Sequence, residues 1–331
     1  MSQIRLSKAN LFHNLDLIKA KVGSVDKIAA VLKDNGYGHG IELIAPLIKE
    51  YGVNKAVVRT TDDALKIEHL FDDIIILGEL NNFMKKPHFS YTVNSLDKLV
   101  TLKDINIELK FDSGMHRNGL MFEELEQALT LIKQNSLTLK GAMTHYRSGD
   151  ELSSEHFWQK KQWQRVKEGL SEYDIRFHSQ NSSATFRDNF HEDFVRVGIA
   201  LYGYLYLPYG VELPDLKPVM SLWGDRLSSR ELKSGSRIGY GGEGVVWNTT
   251  VVSNYDIGYG DGFLRINTDQ TYTFPNGSKL LGRVSMDNIS VDCDDEQLCI
   301  FEDVSELAEL NDTNTYDILV KLSPNIPRAI I

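Results

Sequence analysis

The strongest constraint on how this chain can fold is an alternation. Eight short β-rich runs recur between residues 27 and 199: KIAAVL (27–32), NKAVVR (54–59), DIIIL (73–77), SYTVN (90–94), IELKFD (107–112), LKGAMTH (139–145), FHSQNS (177–182) and FVRVGI (194–199). Between them lie segments such as IELIAPLIKEY (41–51), FEELEQALTLIKQN (122–135) and EHFWQKKQWQRVKEGL (155–170), whose apolar residues fall three and four apart, the period of an amphipathic helix. Eight strand-then-helix units predict a (β/α)8 barrel, with its chemistry at the C-terminal ends of the strands. An open doubly wound sheet has the same periodicity and is the alternative.

Past YGVELPDLKP (209–218) the helical period fades, and β-branched runs separated by Gly, Asn and Asp take over, as in EGVVWNTTVVSNYDIGYGDG (243–262) and KLLGRVSMDNISVDC (279–293). A barrel over 1–215 followed by a smaller, mainly β domain over 216–331 is therefore expected, and 331 residues suffice for both. The formal charge of -10 opposes non-specific attraction to nucleic acid or an anionic membrane, so a small-molecule partner is expected. Cys293 and Cys299 are too few for a disulfide framework and suit a reducing compartment. The first twenty residues lack the apolar core of a signal peptide, and no stretch approaches the roughly 20 apolar residues that span a bilayer. The cytoplasm is the expected location.

If this is a barrel enzyme, the residues at the strand ends should be chemical, and they are: Lys33, Arg59, Lys110 with Asp112, His145, Asn181 with Ser182, and Arg196 within the eighth run. Each has a bland reading as well. A lysine after a strand commonly snorkels to solvent. Lys33, however, precedes DNGYGHG, whose Gly36, Gly38 and Gly40 free the backbone ahead of a helix start at Ile41, an arrangement suited to an anion. A lysine amine beside an anion site suggests Schiff-base chemistry with a carbonyl. Arg196, flanked by Val195 and Val197, points to the opposite face from them, into the barrel or outward into a surface ion pair. Gly198 and Ile199 offer amides to a phosphate, and NSSA (181–184) offers hydroxyls that also suit a helix cap. GYGGEG (239–244) fits the dinucleotide fingerprint, but a strand-like run follows it instead of the required helix.

Taken together, these motifs resemble alanine racemase, a pyridoxal-phosphate enzyme family built from an eight-stranded α/β barrel and a β domain. The segments carrying the resemblance are AVLKDNGYGHG (30–40), LKFDSGMHRNG (109–119), MTHYRSGDE (143–151), HSQNSSA (178–184), VRVGIALYG (195–203), LKPVMSL (216–222), IGYGGEG (238–244), IGYGDGF (257–263) and LGRVSMDNISVD (281–292), in order along nearly the whole chain. The resemblance implies an enzyme that interconverts L- and D-alanine by a two-base mechanism and supplies D-alanine for peptidoglycan. It makes Lys33 the residue joined to pyridoxal 5'-phosphate and one base, and Tyr240, from the second subunit of a homodimer, the opposing base. A planar centre must lose its proton on one side and regain one on the other. By the same resemblance Arg196 would meet the cofactor's ring nitrogen, His178 would lie near the ring, and His145 would couple Tyr240 to Arg196. Tyr37, Ser182, Gly198 and Ile199 would hold the phosphate. Arg117 and Met286 would bind the substrate carboxylate, and Lys110 would be a candidate for carbamylation. Asn181, Tyr259 and Asp287 would support the site. Asp287 also suits a simple turn, and Tyr259 simple packing.

The chain departs from the family where LSPNIPRAI (322–330) carries Pro324 in place of a phosphate-binding tyrosine, and where Gly241, Gly242 and Glu243 follow Tyr240. The same framework would serve a racemase of serine, lysine or broad specificity. A barrel that only carries the cofactor would have no use for the β domain with Tyr240 and Met286, and neither would a Schiff-base aldolase.

Overall fold

The computed structural model describes residues 1–266 and 270–331. The chain forms two compact units, Leu11–Gly36 with Ile41–Lys217, and Met1–Asn10 with Tyr37–Gly40 and Pro218–Ile331.

Strand β1 (Gln3–Leu6) opens the chain and belongs to the second unit. The first unit holds eight parallel strands: β2 (Ile28–Val31), β3 (Lys55–Val58), β4 (Asp73–Ile76), β5 (Phe89–Val93), β6 (Asn106–Lys110), β7 (Thr138–Met143), β8 (Arg176–His178) and β9 (Val195–Val197). Each lies on one of the eight expected runs. Their hydrogen-bonded order is β8-β7-β6-β5-β4-β3-β2-β9, a nearly closed barrel. Strands such as β2 and β5 are buried throughout, as parallel strands covered on both faces must be, which is why they read as almost unbroken apolar runs. β8 and β9 stand at the two ends of that order, and main-chain bonds tie them: Arg196 N donates to Gln180 O at 3.0 Å, and Asp193 N to Phe177 O at 3.2 Å. The strands are shorter than the runs chiefly at their C-terminal ends, where Lys33, Arg59, Asp112, His145 and Asn181 leave the ladder.

The second unit is built around β10 (Met220–Leu232). Also here are the short pair β11 (Arg237–Ile238) and β12 (Gly244–Val245), then β13 (Thr250–Tyr255), β14 (Ile289–Val291), β15 (Gln297–Phe301) and β16 (Arg328–Ile330). One sheet runs β14-β13-β10-β1-β16, with β15 also on β10. The expected boundary at 215/216 therefore misses a piece at the start of the chain. Ile4 and Leu6 are fully buried while Gln3 and Arg5 are not, and this half-buried alternation sets β1 antiparallel to β10 and parallel to β16. The unit also contains the helices Ser305–Leu310 and Thr315–Lys321, which periodicity did not flag. The GYGGEG segment forms a 3-10 turn, Tyr240–Gly242, and then β12, so no dinucleotide-type helix follows it.

Candidate active site at the barrel's strand ends

Lys33 follows β2 and begins an unusual turn. Asp34, Asn35 and Gly36 all take left-handed backbone angles (φ 52°, 55° and 62°), and Tyr37 continues them at φ 53°. A left-handed residue other than glycine costs about 1–2 kcal/mol, less for Asp and Asn, so this one turn stores strain that its hydrogen bonds must offset. Gly36 N donates to Leu32 O at 2.9 Å, and Asn35 Oδ1 accepts from Ile41 N at 3.0 Å, capping the helix Ile41–Tyr51. Where the glycines were expected to free the backbone ahead of the helix, the structure has a left-handed turn that includes Asp34, Asn35 and Tyr37 as well. Lys33 Nζ lies 3.6 Å from Asp34 Oδ2, and the exposed Arg59 lies 3.5 Å from Asp34 Oδ1.

Residues from β6 and β9 and from the segments that follow β2 and β6 bring positive charge together. Lys110, the last residue of β6, is buried, and burial followed by repulsion from Arg117 and Arg196 pushes its amine down to about 8. His145, two residues past β7, is driven to about 3 by burial and then by the fields of Arg196, Lys110, Arg117 and Lys33. It is neutral at pH 7. The fields of Lys33, Lys110, Arg117 and Arg196 thus all reach this one imidazole. Asp112 turns the following loop, accepting from Gly114 N at 2.8 Å and His116 N at 3.0 Å. Burial works to raise its pKa, but these bonds and His116 hold it below the usual carboxylate value.

Arg196 points into the barrel and is almost completely buried. Its Nη1 donates to His178 Nδ1 at 2.8 Å and His178 O at 2.7 Å, and its Nη2 to Thr144 O at 2.7 Å and Ser179 O at 3.3 Å. Its Nε–H makes none of these bonds. Burial lowers the guanidinium to about 10, still charged at neutral pH. His178 stacks on Phe194 with ring centroids 4.4 Å apart, and its Nε2 meets Glu108 Oε2 at 2.5 Å. Burial keeps this histidine below its usual pKa against the pull of Glu108.

Beside Arg196, the Ser182 hydroxyl accepts from Gly198 N at 3.1 Å and from Ala200 N at 3.4 Å. Ile199, whose amide was expected to meet a phosphate, begins the 3-10 turn Ile199–Tyr202 between these two amides. Asn181 is the cap of the short helix Ser182–Arg187, accepting from Ala184 N at 3.0 Å.

The remaining candidates lie in the second unit. Tyr37 is buried against Tyr316 (5.9 Å between centroids), and Arg328 Nε holds the neighbouring Gly38 carbonyl at 2.9 Å. Tyr240 is 68% exposed and Met286 55%. Tyr259 and Met286 sit on two loops zipped by Tyr259 N to Ser285 O (3.0 Å) and Gly260 N to Met286 O (2.8 Å). A Cβ on Gly258 would fall 2.2 Å from the Met286 carbonyl, so only glycine allows that approach. Tyr259 also stacks under Arg265 (4.2 Å), and Asp287 is exposed beside Met286.

The strand-end reading missed Glu108, although it alternates with Lys110 along β6 and so shares its inward face. Among the described residues no helix is long and apolar enough to cross a membrane.

The barrel's residues fit pyridoxal phosphate: an amine at one strand end, a buried arginine with one N–H left to give, and a hydroxyl with two amides beside it. The model of the alanine racemase N-terminal domain matches residues 6–206, and that of the C-terminal domain residues 219–330. Relatives named alanine racemase include one from a Nitratiruptor species, 45% identical over the full length of both chains, and one from Campylobacter concisus, 41% identical over the full length of both. Among solved structures, the alanine racemase from Bacillus anthracis with bound L-Ala-P is 26% identical. Its TM-score is 0.88, and the match covers 100% of this chain and 95% of that one.

Proposed function

The chain belongs to the alanine racemase family, and on that premise we propose that it interconverts L- and D-alanine with pyridoxal 5'-phosphate held at the barrel's strand ends. Bound there, the cofactor supplies an electron sink for the charge left when the substrate's α-proton departs. Lys33 would hold the cofactor through its amine and would take or return the substrate's α-proton on one face. Tyr240, presented by a second copy of the chain, does the same on the opposite face. Its high exposure supports that reading, since a phenol meant for another subunit must project from its own.

Arg196 would give its Nε–H to the cofactor's ring nitrogen. A guanidinium lowered only to about 10 keeps its proton at neutral pH, so the ring nitrogen remains an acceptor. His145, neutral and ringed by cations, links the Tyr240 phenol to Arg196. Ser182, Gly198, Ile199 and Tyr37 would hold the phosphate, with Ala200 a further amide in reach of the Ser182 hydroxyl. Arg117 and the Met286 amide take the substrate carboxylate, and Asn181, Tyr259 and Asp287 shape the approach. Lys110, with its amine at about 8, has a neutral fraction whose lone pair can bond the carbon of CO2, the ammonium losing one proton beforehand and the new N–C bond releasing a second, so that a cation becomes a carbamate anion.

The observation that carries this proposal is the gathering of Lys33, Lys110, Arg117 and Arg196 around His145. The test is to add pyridoxal phosphate to the purified chain. Wild type should gain the absorbance of lysine-bound cofactor and racemise L-alanine, while Lys33→Ala should do neither. A wild type that stays colourless and inactive across a panel of amino acids refutes the assignment, and a preference for serine or lysine would redirect the substrate. Tyr240→Phe should retain the cofactor but lose α-proton exchange with L-alanine by about 10²–10⁴-fold, the usual worth of a general base. Mixing unfolded Lys33→Ala and Tyr240→Phe chains and refolding them together should restore activity if the tyrosine is supplied by a second copy, and should not if each chain completes its own site.

A further inference from the structure

Barrels are ordinarily filled by layers of branched aliphatic side chains. Here alternate strands carry charge into the interior: Asp73 starts β4, Glu108 lies within β6, and Arg176 starts β8. Arg176 Nε donates to Glu108 Oε1 at 2.7 Å and Nη2 to Asp73 Oδ1 at 3.0 Å, with further contacts from Nη1 to Asp73 and Nη2 to Glu108. The intervening strand is notched to let this happen. Glu108, Gly141 and Arg176 are register partners across β6, β7 and β8, and a Cβ on Gly141 would fall 2.7 Å from Arg176 Cγ and 3.3 Å from Glu108 Cδ.

The cluster does not end there. His178, two residues after Arg176 and on the same face of β8, completes a run from the base of the barrel to Arg196: Asp73–Arg176–Glu108–His178–Arg196. Its direction is fixed by chemistry, because a guanidinium only donates. His178 Nδ1 must therefore be the acceptor for Arg196 Nη1, and the ring proton sits on Nε2 and is given to Glu108 Oε2. A carboxylate with no exposed surface is retained against its desolvation cost because Arg176 and His178 both bond it.

We propose that Glu108 is a positioning residue: held by Arg176 and Asp73, it locks His178 in the one tautomer that can accept from Arg196, and so leaves the arginine's Nε–H facing the site. This rests on the reading that Arg196 meets the cofactor's ring nitrogen. In Glu108→Gln, an amide NH2 turned to His178 would force the ring proton onto Nδ1, against Arg196; turned the other way, it would oppose Arg176.

The direct test is nitrogen NMR of labelled histidine in the cofactor-free wild type, with His178→Gln used to assign the signal. The expected result is a neutral His178 protonated at Nε2; an Nδ1–H tautomer or an imidazolium overturns the proposal without any variant needing to fold. In Glu108→Gln that tautomer should be lost or mixed. When loaded, this variant should show kcat for alanine lowered about tenfold or more, the worth of a charge-assisted bond, with KM little changed. It should also form more pyruvate per racemisation, since a displaced arginine no longer guards the ring nitrogen. A folded Glu108→Gln with wild-type tautomer, kcat and pyruvate ratio overturns the proposal. A wild type that does not racemise alanine overturns the functional reading instead, and leaves the tautomer result standing.

Discussion

His145 offers a sharp test of whether the strand ends converge as described. Its pKa is depressed from near 6.5 in an unfolded chain to about 3 in the folded one, by burial and by four neighbouring cations. The group therefore contributes its full stability above pH 6.5, and that contribution is withdrawn as pH falls, because the unfolded chain binds a proton that the folded chain refuses. At pH 5 the withdrawal is about 2 kcal/mol, from 1.5 pH units at 1.36 kcal/mol each, and it ends only near pH 3. Replacing His145 with Gln removes the titration. Urea unfolding of cofactor-free protein at pH 7.5 and pH 5, followed by circular dichroism, should show wild type losing about 2 kcal/mol more than His145→Gln over that interval. The comparison between the two proteins cancels His178 and the surface groups, which titrate in both. Equal losses would mean that neither burial nor the cations depress this imidazole, and the convergence of Lys33, Lys110, Arg117 and Arg196 on it would fall with that.

Lys110, at about 8, has roughly a quarter of its amine unprotonated at pH 7.5, against about one part in a thousand for an ordinary lysine. Isotope-labelled bicarbonate should therefore give a carbamate signal in carbon NMR that Lys110→Ala lacks; a signal unchanged in that variant would refute the site. Gly141→Ala drives a methyl group against Arg176 and should destabilise the barrel by about 1–3 kcal/mol in a urea titration, the range for overpacking. Unchanged stability there would show that β7 can shift away from the ion network.

The eight barrel strands were legible because burial on both faces leaves little choice but unbroken apolar runs, and the polar residues that end those runs were legible as a site for the same reason. β1 was not, since its four residues pair with strands whose partners lie more than two hundred residues on, and no local pattern announces that. The glycines after Lys33 signalled a special turn, yet nothing local says that Asp34, Asn35 and Tyr37 also adopt left-handed angles; the capping bond from Ile41 to Asn35 decides part of it. Glu108 lies within its strand and not at the end, so the strand-end pattern does not mark it, although its spacing from Lys110 puts it on the inward face. Tyr240 and Met286 carry no physical signal of their own as exposed loop residues. Only the family resemblance singled them out.

The tie between β8 and β9 has a further consequence. Arg196 contributes its own amide to that tie, and three of its four guanidinium bonds go to His178 and Ser179 on the same side of the gap. Fraying there would unseat the arginine while the remaining strand pairs stay zipped, so deuterium should reach the amides of Asp193 and Arg196 well before those of β4 and β5. Protection of the two amides when pyridoxal phosphate binds would then report how tightly the ligand staples the barrel shut.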